Sequence, residues 1–232
     1  MPLSIVRLTE QDIPGAVTAI QESFSSDPYS DWVFSGQSKF DKNRNRVSLG
    51  IRCRWGIRNA LFFVAKDPDS DAKDEVLGIA MWMPPRPVER KETWGEWLEG
   101  WRMWIEQAWM NCWYGRGGLN VKRYYIWKAK QAEAQSKIWT DPRGYYFLNI
   151  MVVKPDHQGK GIGKALAGEV TRMADQEGKK CYLESSRDVP NMKIYETMGF
   201  HFEKQMDCDD DGEICRLYCM VRDPQPTISQ SN

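Results

Sequence analysis

The sequence predicts an α/β fold in which helices flank a β-sheet. Segments rich in β-branched and aromatic residues alternate with segments whose apolar residues recur at helical spacing along the 232 residues. One nearly continuous apolar stretch, "GYYFLNIMVVKP" at 144–155, has the composition of a strand buried in the middle of a sheet. A glycine-rich loop then leads directly into a helical pattern, which is typical of a ligand-binding turn in such folds.

The N-terminal elements follow from apolar periodicity and from helix caps. Asp12 is the expected N-cap of the first helix, and Pro14 lies in its first turn, where a missing N–H costs little. Two strands are predicted at 60–67 and 76–85, and prolines end the second. The charged turn at 67–75 between them predicts a hairpin. The predicted order is a strand, a helix, a loop, a helix and two hairpin strands, at 3–9, 10–24, 25–34, about 41–57, 60–67 and 76–85.

A tryptophan-rich segment at 92–139 interrupts this alternation. Its first four tryptophans recur at spacings of three, four and three residues, which places them on one face of a helix. We expect this stripe to be part of the core, and the alternative is an aromatic wall around an apolar substrate. A second amphipathic helix is predicted at 120–139. The four tryptophans are Trp94, Trp97, Trp101 and Trp104.

The C-terminal elements surround the glycine-rich loop. A helix at about 161–176 places Ile162, Leu166 and Val170 on one face, and Gly178 is its expected C-terminal cap. A strand, a short helix ending in a Gly-Phe pair and two strands joined by an acidic turn complete the order. These last elements are predicted at 180–186, 189–200 and on both sides of 207–213.

Composition excludes several functional classes. The 32 basic and 32 acidic residues cancel, so no charge pattern for nucleic acid or an anionic membrane is present. Six cysteines lack metal-ligand spacing, which predicts reduced thiols and no metal site. Neither a signal peptide nor a run of membrane-spanning length is evident. We therefore expect a soluble cytoplasmic protein that has no nucleic-acid or membrane partner.

The loop "HQGKGIGKALAGEV" at 157–170 predicts an anion site, because glycines let backbone N–H groups converge and a helix N-terminus adds its dipole. A Walker loop is excluded, since Gln158 and Ala165 stand where it needs a glycine and a Ser or Thr. The dinucleotide fingerprint is excluded too, because Lys164 replaces its third glycine.

Two motifs then give the chain a resemblance to a known family. "LNIMVVKPDHQGKGIGKAL" at 148–166 and "NMKIYETMGF" at 191–200 resemble the pyrophosphate-loop and tyrosine motifs of the GNAT acetyltransferase superfamily. The resemblance implies a mixed, mostly antiparallel sheet that splays between the fourth and fifth strands and is flanked by helices. It also implies a single domain over 1–222, from which the tryptophan-rich helical segment at about 90–140 departs as an insertion, and we expect a flexible tail at 223–232.

The resemblance implies that the cofactor is acetyl-CoA. Its pyrophosphate would bind the glycine loop, and its pantetheine arm would pair with the central strand and with the side chain of Asn191. The Val153 amide would face the thioester carbonyl. The implied cofactor-binding residues are Met151, Val152, Val153, Gln158, Gly159, Lys160, Gly161, Ile162, Gly163, Lys164, Asn191 and Tyr195.

The resemblance also implies N-acetylation of an amine by direct attack in a ternary complex. Tyr195 matches the family's tyrosine beside the sulfur and is the expected general acid, and Glu184 is the expected general base, with water as the alternative. We expect a small-molecule amine as acceptor and a monomer or homodimer. Two other functions stay open: a non-catalytic acyl-CoA-binding sensor or scaffold, and a phosphate-binding module. The expected substrate-binding residues are Asp27, Tyr29, Asp31, Trp32 and Trp82.

Overall fold

A computed structural model describes residues 3–34, 39–69 and 75–226. Seven strands form one sheet in the order β1-β2-β3-β4-β5-β7-β6. The strands are β1 Ser4–Arg7, β2 Leu61–Lys66, β3 Val76–Met83, β4 Tyr146–Val153, β5 Cys181–Ser185, β6 His201–Asp210 and β7 Glu213–Arg222. The helices are α1 Ile13–Ser23, α2 Pro28–Val33, α3 Lys42–Asn59, α4 Trp94–Tyr114, α5 Val121–Ile138, α6 Ile162–Glu177 and α7 Asn191–Glu196.

The sheet is mixed and mostly antiparallel, as the sequence predicts. β4 lies in its centre and pairs antiparallel with β3 and parallel with β5. The parallel pairing covers only the residue pairs from Tyr146–Cys181 to Leu148–Leu183. Among the described strands, the C-terminal half of β4 therefore has no partner on its β5 side, which is the splay that the fold class predicts.

Helices cover both faces of the sheet. α1 and α3 pack against one face of β2, β3 and β4, and the apolar side of α6 packs against the opposite face. α2 and α5 cover the half of the sheet formed by β5, β6 and β7. The predicted face of α6 is buried as expected, and Gly178 ends the helix with a left-handed φ of 62°.

Two local predictions change in the structure. The stretch 25–34, predicted as a loop, contains α2, because the Asp27 side chain accepts a hydrogen bond from the Ser30 N–H at 3.0 Å and caps the helix above Pro28. The acidic turn at 207–213 is shorter than predicted. β6 runs through Asp210, and two residues with positive φ, Asp211 and Gly212, make the turn.

The prediction of a tryptophan core stripe is wrong. α4 forms as predicted and begins with a Thr93–Glu96 capping box, but it turns its tryptophans away from the protein. Trp94 is 84% exposed, and Trp104 is 62% exposed. Trp97 and Trp101 are also exposed. On its protein side the helix buries Met110 and contacts α3 through polar side chains, among them Glu99 with Arg58 at 2.7 Å.

Two predicted segments lie mostly outside the described residues. The predicted tail at 223–232 lies mostly outside the described residues, which end at 226, and so does most of the charged turn at 67–75. Among the described helices, none combines the length and the apolar composition needed to cross a bilayer.

Candidate functional site

The glycine loop lies between the end of β4 and the start of α6. Gly159 and Gly161 have φ values of 76° and 80°, in the left-handed region that glycine alone adopts at little cost. A Cβ built on either residue would meet no described atom within 4 Å, so both positions border open space. The Gln158 Nε2 donates to the Val153 carbonyl at 3.1 Å and ties the loop to β4.

The start of α6 fits an anionic ligand. Its first N–H groups have no intrahelical acceptor, and the helix dipole favours negative charge there. Lys160 and Lys164 are both exposed beside these groups. Lys164 also lines a groove of about 500 Å³ between α6 and the end of α7, together with Arg172, Thr197 and Met198. Arg172 was not predicted as part of the site, because nothing in the local sequence distinguishes it from a solvated helix residue.

The splayed half of β4 offers backbone groups to a ligand. Lys154 donates its N–H to Leu77 of β3, so by strand alternation Val152 also faces β3, whereas Met151 and Val153 direct their backbone groups to the opposite, unpaired edge. The Val152 side chain is buried in the core. Val152 thus differs from its predicted role, since neither its backbone nor its side chain reaches this edge.

Glu184 lies on β5 with its side chain on the α5 face of the sheet. Its carboxylate accepts hydrogen bonds from Gln131 Nε2 at 2.8 Å, from the Tyr182 hydroxyl at 2.9 Å and from Gln135 Nε2 at 3.4 Å. Burial raises the pKa of Glu184, and these donors only partly oppose the rise. The group is therefore a stronger base than an exposed glutamate.

Gln131 and Gln135 are site residues that the sequence did not reveal. They lie four positions apart on α5, which puts both amides on one face of that helix. The spacing is visible in the sequence as "QAEAQ", but the contact spans 53 residues between Gln131 and Glu184. Only the packing of α5 on the sheet shows which strand these amides meet.

Tyr195 is half-buried on α7 and packs against the core cluster on the α6 side of the sheet. Its ring meets Phe200 edge-on, with centroids 6.1 Å apart. Burial raises the pKa of Tyr195 to about 12, so its hydroxyl is protonated at neutral pH. Tyr195 and Glu184 therefore flank the splay of the sheet from opposite faces.

Asn191 begins α7 close to the end of β5. Its Nδ2 donates to the Ser185 hydroxyl at 3.2 Å, while Pro190 occupies the N-cap position. Asn191 therefore does not cap the helix. The loop around it is fixed to the N-terminal half of the chain, because Ser186 donates to Asp27 and Arg187 donates to the Ser26 carbonyl.

The five predicted acceptor residues do not form one surface. Trp82 is fully buried, and Trp32 is buried with its Nε1 donating to the Glu213 carbonyl at 2.8 Å. Both are core residues, which contradicts their predicted role. Asp27 is buried and its two carboxylate oxygens accept from Ser30 and Ser186, so the capping role explains it.

Of the five predicted acceptor residues, Tyr29 and Asp31 on α2 are not buried, so they remain candidates for contact with an acceptor. Asp31 is exposed, and Tyr29 is half-buried with its ring 5.2 Å from that of Trp127. Burial raises the pKa of Tyr29, and the positive charge of nearby Arg52 opposes that rise. Arg52 also lines a small depression beside Ile150 of β4 and Met81 of β3. Nothing in the local sequence distinguishes Arg52 from the other arginines of α3.

The described residues hold no metal site. Across 3–34, 39–69 and 75–226, no group of three or more His, Cys, Asp or Glu side chains converges as metal ligands would.

In sequence, the chain is similar to a known acetyltransferase domain and to an N-acetyltransferase of a yeast. The model of the acetyltransferase (GNAT) domain matches residues 121–202, from α5 to the start of β6, which includes the glycine loop and Tyr195. An uncharacterized N-acetyltransferase of Schizosaccharomyces pombe is 27% identical over 226 residues, covering 94% of this chain and 83% of the relative.

Solved structures share the fold at low sequence identity. A structure described as histone acetyltransferase HPA2 and related acetyltransferase, from Corynebacterium glutamicum, superposes with a TM-score of 0.63 at 17% identity and covers 98% of this chain and 99% of its own. Arylalkylamine N-acetyltransferase 2 of Aedes aegypti gives a TM-score of 0.59 at 11% identity, covering 97% of this chain and all of its own.

Proposed function

Because the chain belongs to the GNAT superfamily of acetyltransferases, we propose that it transfers acetyl from acetyl-CoA to a small-molecule amine by direct attack in a ternary complex. One observation carries the proposal. The open glycine loop at the start of α6 adjoins the unpaired edge of β4, and Glu184 and Tyr195 flank that edge from opposite faces of the sheet.

The residues of the loop and the strand edge suit coenzyme A. The N–H groups around Gly161 and Gly163, with Lys160 and Lys164 beside them, would hold the pyrophosphate. The backbone of Met151 and Val153 would pair with the pantetheine arm like an added strand. When bound, acetyl-CoA supplies a thioester-activated acetyl group.

Glu184 is the proposed general base. An alkyl amine with a lysine-like pKa of about 10.4 is mostly protonated near neutral pH, which costs roughly 4 kcal/mol before it can attack. The raised pKa of Glu184 brings this carboxylate closer to the operating pH, where a base is most effective. Gln131 and Gln135 would hold the carboxylate in position from α5.

Tyr195 is proposed to act on the leaving sulfur. A thiol with a cysteine-like pKa of about 8.5 is far more acidic than a tyrosine whose pKa is about 12. Complete proton transfer from Tyr195 is therefore uphill, and we assign to it a hydrogen bond that stabilises the departing thiolate. Its contribution falls at or below the lower end of the range of about 10²–10⁴-fold that is typical of general acids.

A small, partly apolar amine is the proposed acceptor. The depression beside Ile150 is lined mainly by apolar side chains with Arg52 among them, but at about 10 Å³ it has room for about one water and does not itself define an acceptor pocket. Tyr29 lies close enough for the charge of Arg52 to act on it, and the exposed Asp31 shares α2 with Tyr29. The named acceptors of the solved relatives include both histones and arylalkylamines, so the fold by itself does not select between them.

The cofactor assignment is tested by replacing two equivalent glycines at opposite ends of α6. Gly161 and Gly178 both have left-handed φ and open space around a built Cβ, so alanine strains both backbones by a similar amount, about 1–2 kcal/mol. Calorimetry should show that Gly161→Ala weakens acetyl-CoA binding at least about tenfold, because the methyl group blocks close backbone approach to the pyrophosphate. Gly178→Ala should bind like the wild type.

Equal acetyl-CoA affinity in all three proteins would refute the loop assignment. A panel of amines in a thiol-release assay then separates the enzyme from a sensor, since a sensor binds acetyl-CoA and releases no thiol with any of them. Peptide amines that outperform every small amine would contradict the proposed acceptor class.

The two catalytic assignments are tested by Glu184→Gln and Tyr195→Phe in single-turnover acetyl transfer. Glu184→Gln should lose most activity below the amine's pKa, and the deficit should shrink as pH rises and the substrate deprotonates in solution. Tyr195→Phe should keep acetyl-CoA affinity and slow transfer by about 10–100-fold, less with a donor whose thiol is more acidic. A pH-independent deficit for Glu184→Gln would indicate positioning instead of base catalysis, and an unchanged rate for Tyr195→Phe would make that residue a packing side chain.

A further inference from the structure

Helix α4 has the reverse of the usual orientation of an amphipathic surface helix. Its polar side faces the protein, where Glu99, Gln107 and Asn111 contact α3. Arg58 Nε donates to Glu99 at 2.7 Å, and Arg44 Nη2 donates to Asn111 Oδ1 at 2.8 Å. The apolar side faces outward. Because the capping box at Thr93 fixes its first turn, the outward surface is preformed.

The outward surface is large. Its members are between 46% and 84% exposed, and they are Trp94, Trp97, Leu98, Trp101, Trp104, Ile105, Trp109 and Trp113, which we call the tryptophan face. At about 250 Å² for a whole tryptophan, the six indoles alone expose roughly 900 Å². The largest apolar patch of an ordinary monomer is roughly 300–600 Å². A surface of this size indicates an interaction site.

The width of the tryptophan face indicates what covers it. Trp104 and Trp113 mark its two edges and are nine residues apart, which is about 180° around the helix. A second helix packing along α4 would bury a narrower stripe and leave both edges in water. A lipid interface covers the whole exposed half of a helix that lies along it.

Charge supports the same occupant. Within the arc from Trp104 to Trp113, Arg102 is the charged residue, whereas Glu96, Glu99 and Glu106 lie toward the protein side. Basic and acidic residues alternate in the exposed segment at 86–92 before the helix, and Arg58 of the adjacent basic helix α3 is paired with Glu99. Tryptophan is the residue that concentrates at the boundary between lipid headgroups and acyl chains. A face that is rich in tryptophan and carries little charge fits zwitterionic lipid better than anionic lipid.

We propose that α4 docks the protein on the surface of a zwitterionic bilayer, with the tryptophan face inserted at the headgroup boundary. The helix would lie along the membrane without crossing it, over a length of about 31 Å for its 21 residues. The expectation of no membrane partner rested on net charge and on the absence of a spanning run, and neither detects a neutral interfacial helix.

The test uses the full chain with phosphatidylcholine vesicles in a flotation assay. The wild type should float with the vesicles, and raising the salt concentration should change this little, because charge contributes little. The triple variant Trp97→Ser/Trp101→Ser/Trp104→Ser should lose at least about tenfold in partitioning. The matched control Tyr125→Ser/Phe202→Ser/Ile214→Ser removes three apolar side chains that are exposed elsewhere and should float like the wild type.

A second measurement makes the result independent of variant folding. Lipids brominated near the headgroup should quench the wild-type tryptophan emission more than lipids brominated at the chain ends. Absence of flotation and quenching for the wild type would overturn the proposal, as would flotation that needs anionic lipid and disappears in salt. A concentration-dependent dimer that the triple variant abolishes, with no vesicle binding, would assign the tryptophan face to a second copy of the chain.

Discussion

Helices α4 and α6 show how the same periodicity leads to opposite surfaces. Both have apolar residues at helical spacing, but Leu166 of α6 is fully buried and Leu98 of α4 is 61% exposed. α6 leaves the central strand through the glycine loop and returns across the sheet, so its apolar side meets β3 and β4. α4 follows the prolines after β3 and contacts α3 through polar groups. Periodicity therefore defines a face, and the neighbouring element decides whether that face is buried.

The largest expected effect comes from one substitution made in both helices. Leu166→Ala should lower the free energy of unfolding by about 2–5 kcal/mol, because it opens a cavity between α6 and the sheet. Leu98→Ala should change it by no more than about 0.5 kcal/mol, since that side chain is mostly in water. Urea denaturation in the absence of lipid measures both. A cost above about 1.5 kcal/mol for Leu98→Ala would mean that the tryptophan face is covered in the free protein.

A smaller contrast concerns the polar contacts of the two helices. On α6, Asp175 pairs with Arg222 through both carboxylate oxygens, at 2.6 and 2.8 Å, and both side chains are largely buried. On α4, Glu99 and Arg58 form a more exposed pair. Asp175→Asn should cost about 2–3 kcal/mol, because it leaves the Arg222 guanidinium without its counter-charge, and Glu99→Gln should cost about 0.5 kcal/mol. Denaturation at neutral pH gives both values.

The sign of the pH dependence offers an internal control for that contrast. Burial alone would raise the pKa of Asp175, but hydrogen bonds from Arg222 and from the Gln225 N–H hold it below the ordinary value. Its stabilisation is therefore complete above the unfolded pKa of about 3.9 and is lost as pH falls below it. The difference between wild type and Asp175→Asn should shrink toward pH 2. A difference that persists there would mean that packing, and not charge, accounts for the cost.

Much of the fold could be predicted because its determinants are local. Asp41 caps α3, and Gly161 and Gly178 mark the two ends of α6, through backbone preferences that act within one turn. The continuous apolar character of β4 predicts its central place in the sheet. α2 escaped prediction because six residues carry too little periodicity to define a helix.

The site was predictable only in part, for a physical reason. The loop and Tyr195 belong to contiguous motifs, whereas the contacts of Glu184 with Gln131 and Gln135 depend on how α5 packs across the sheet. The burial of Trp82 depends on the same kind of distant packing. Aromatic residues near a predicted opening are as suited to the core as to a ligand, and sequence spacing does not distinguish the two.

The distribution of thiols allows covalent labelling of the native chain. Of the six cysteines, all within the described residues, Cys112 alone is exposed. Burial raises the pKa of the other five, to about 12 for Cys53, so little reactive thiolate forms at them. Cys112 follows Trp94 by eighteen residues, or about five helical turns, and therefore lies in line with it along α4. A maleimide probe would attach there without any engineered substitution and would report directly on what α4 meets.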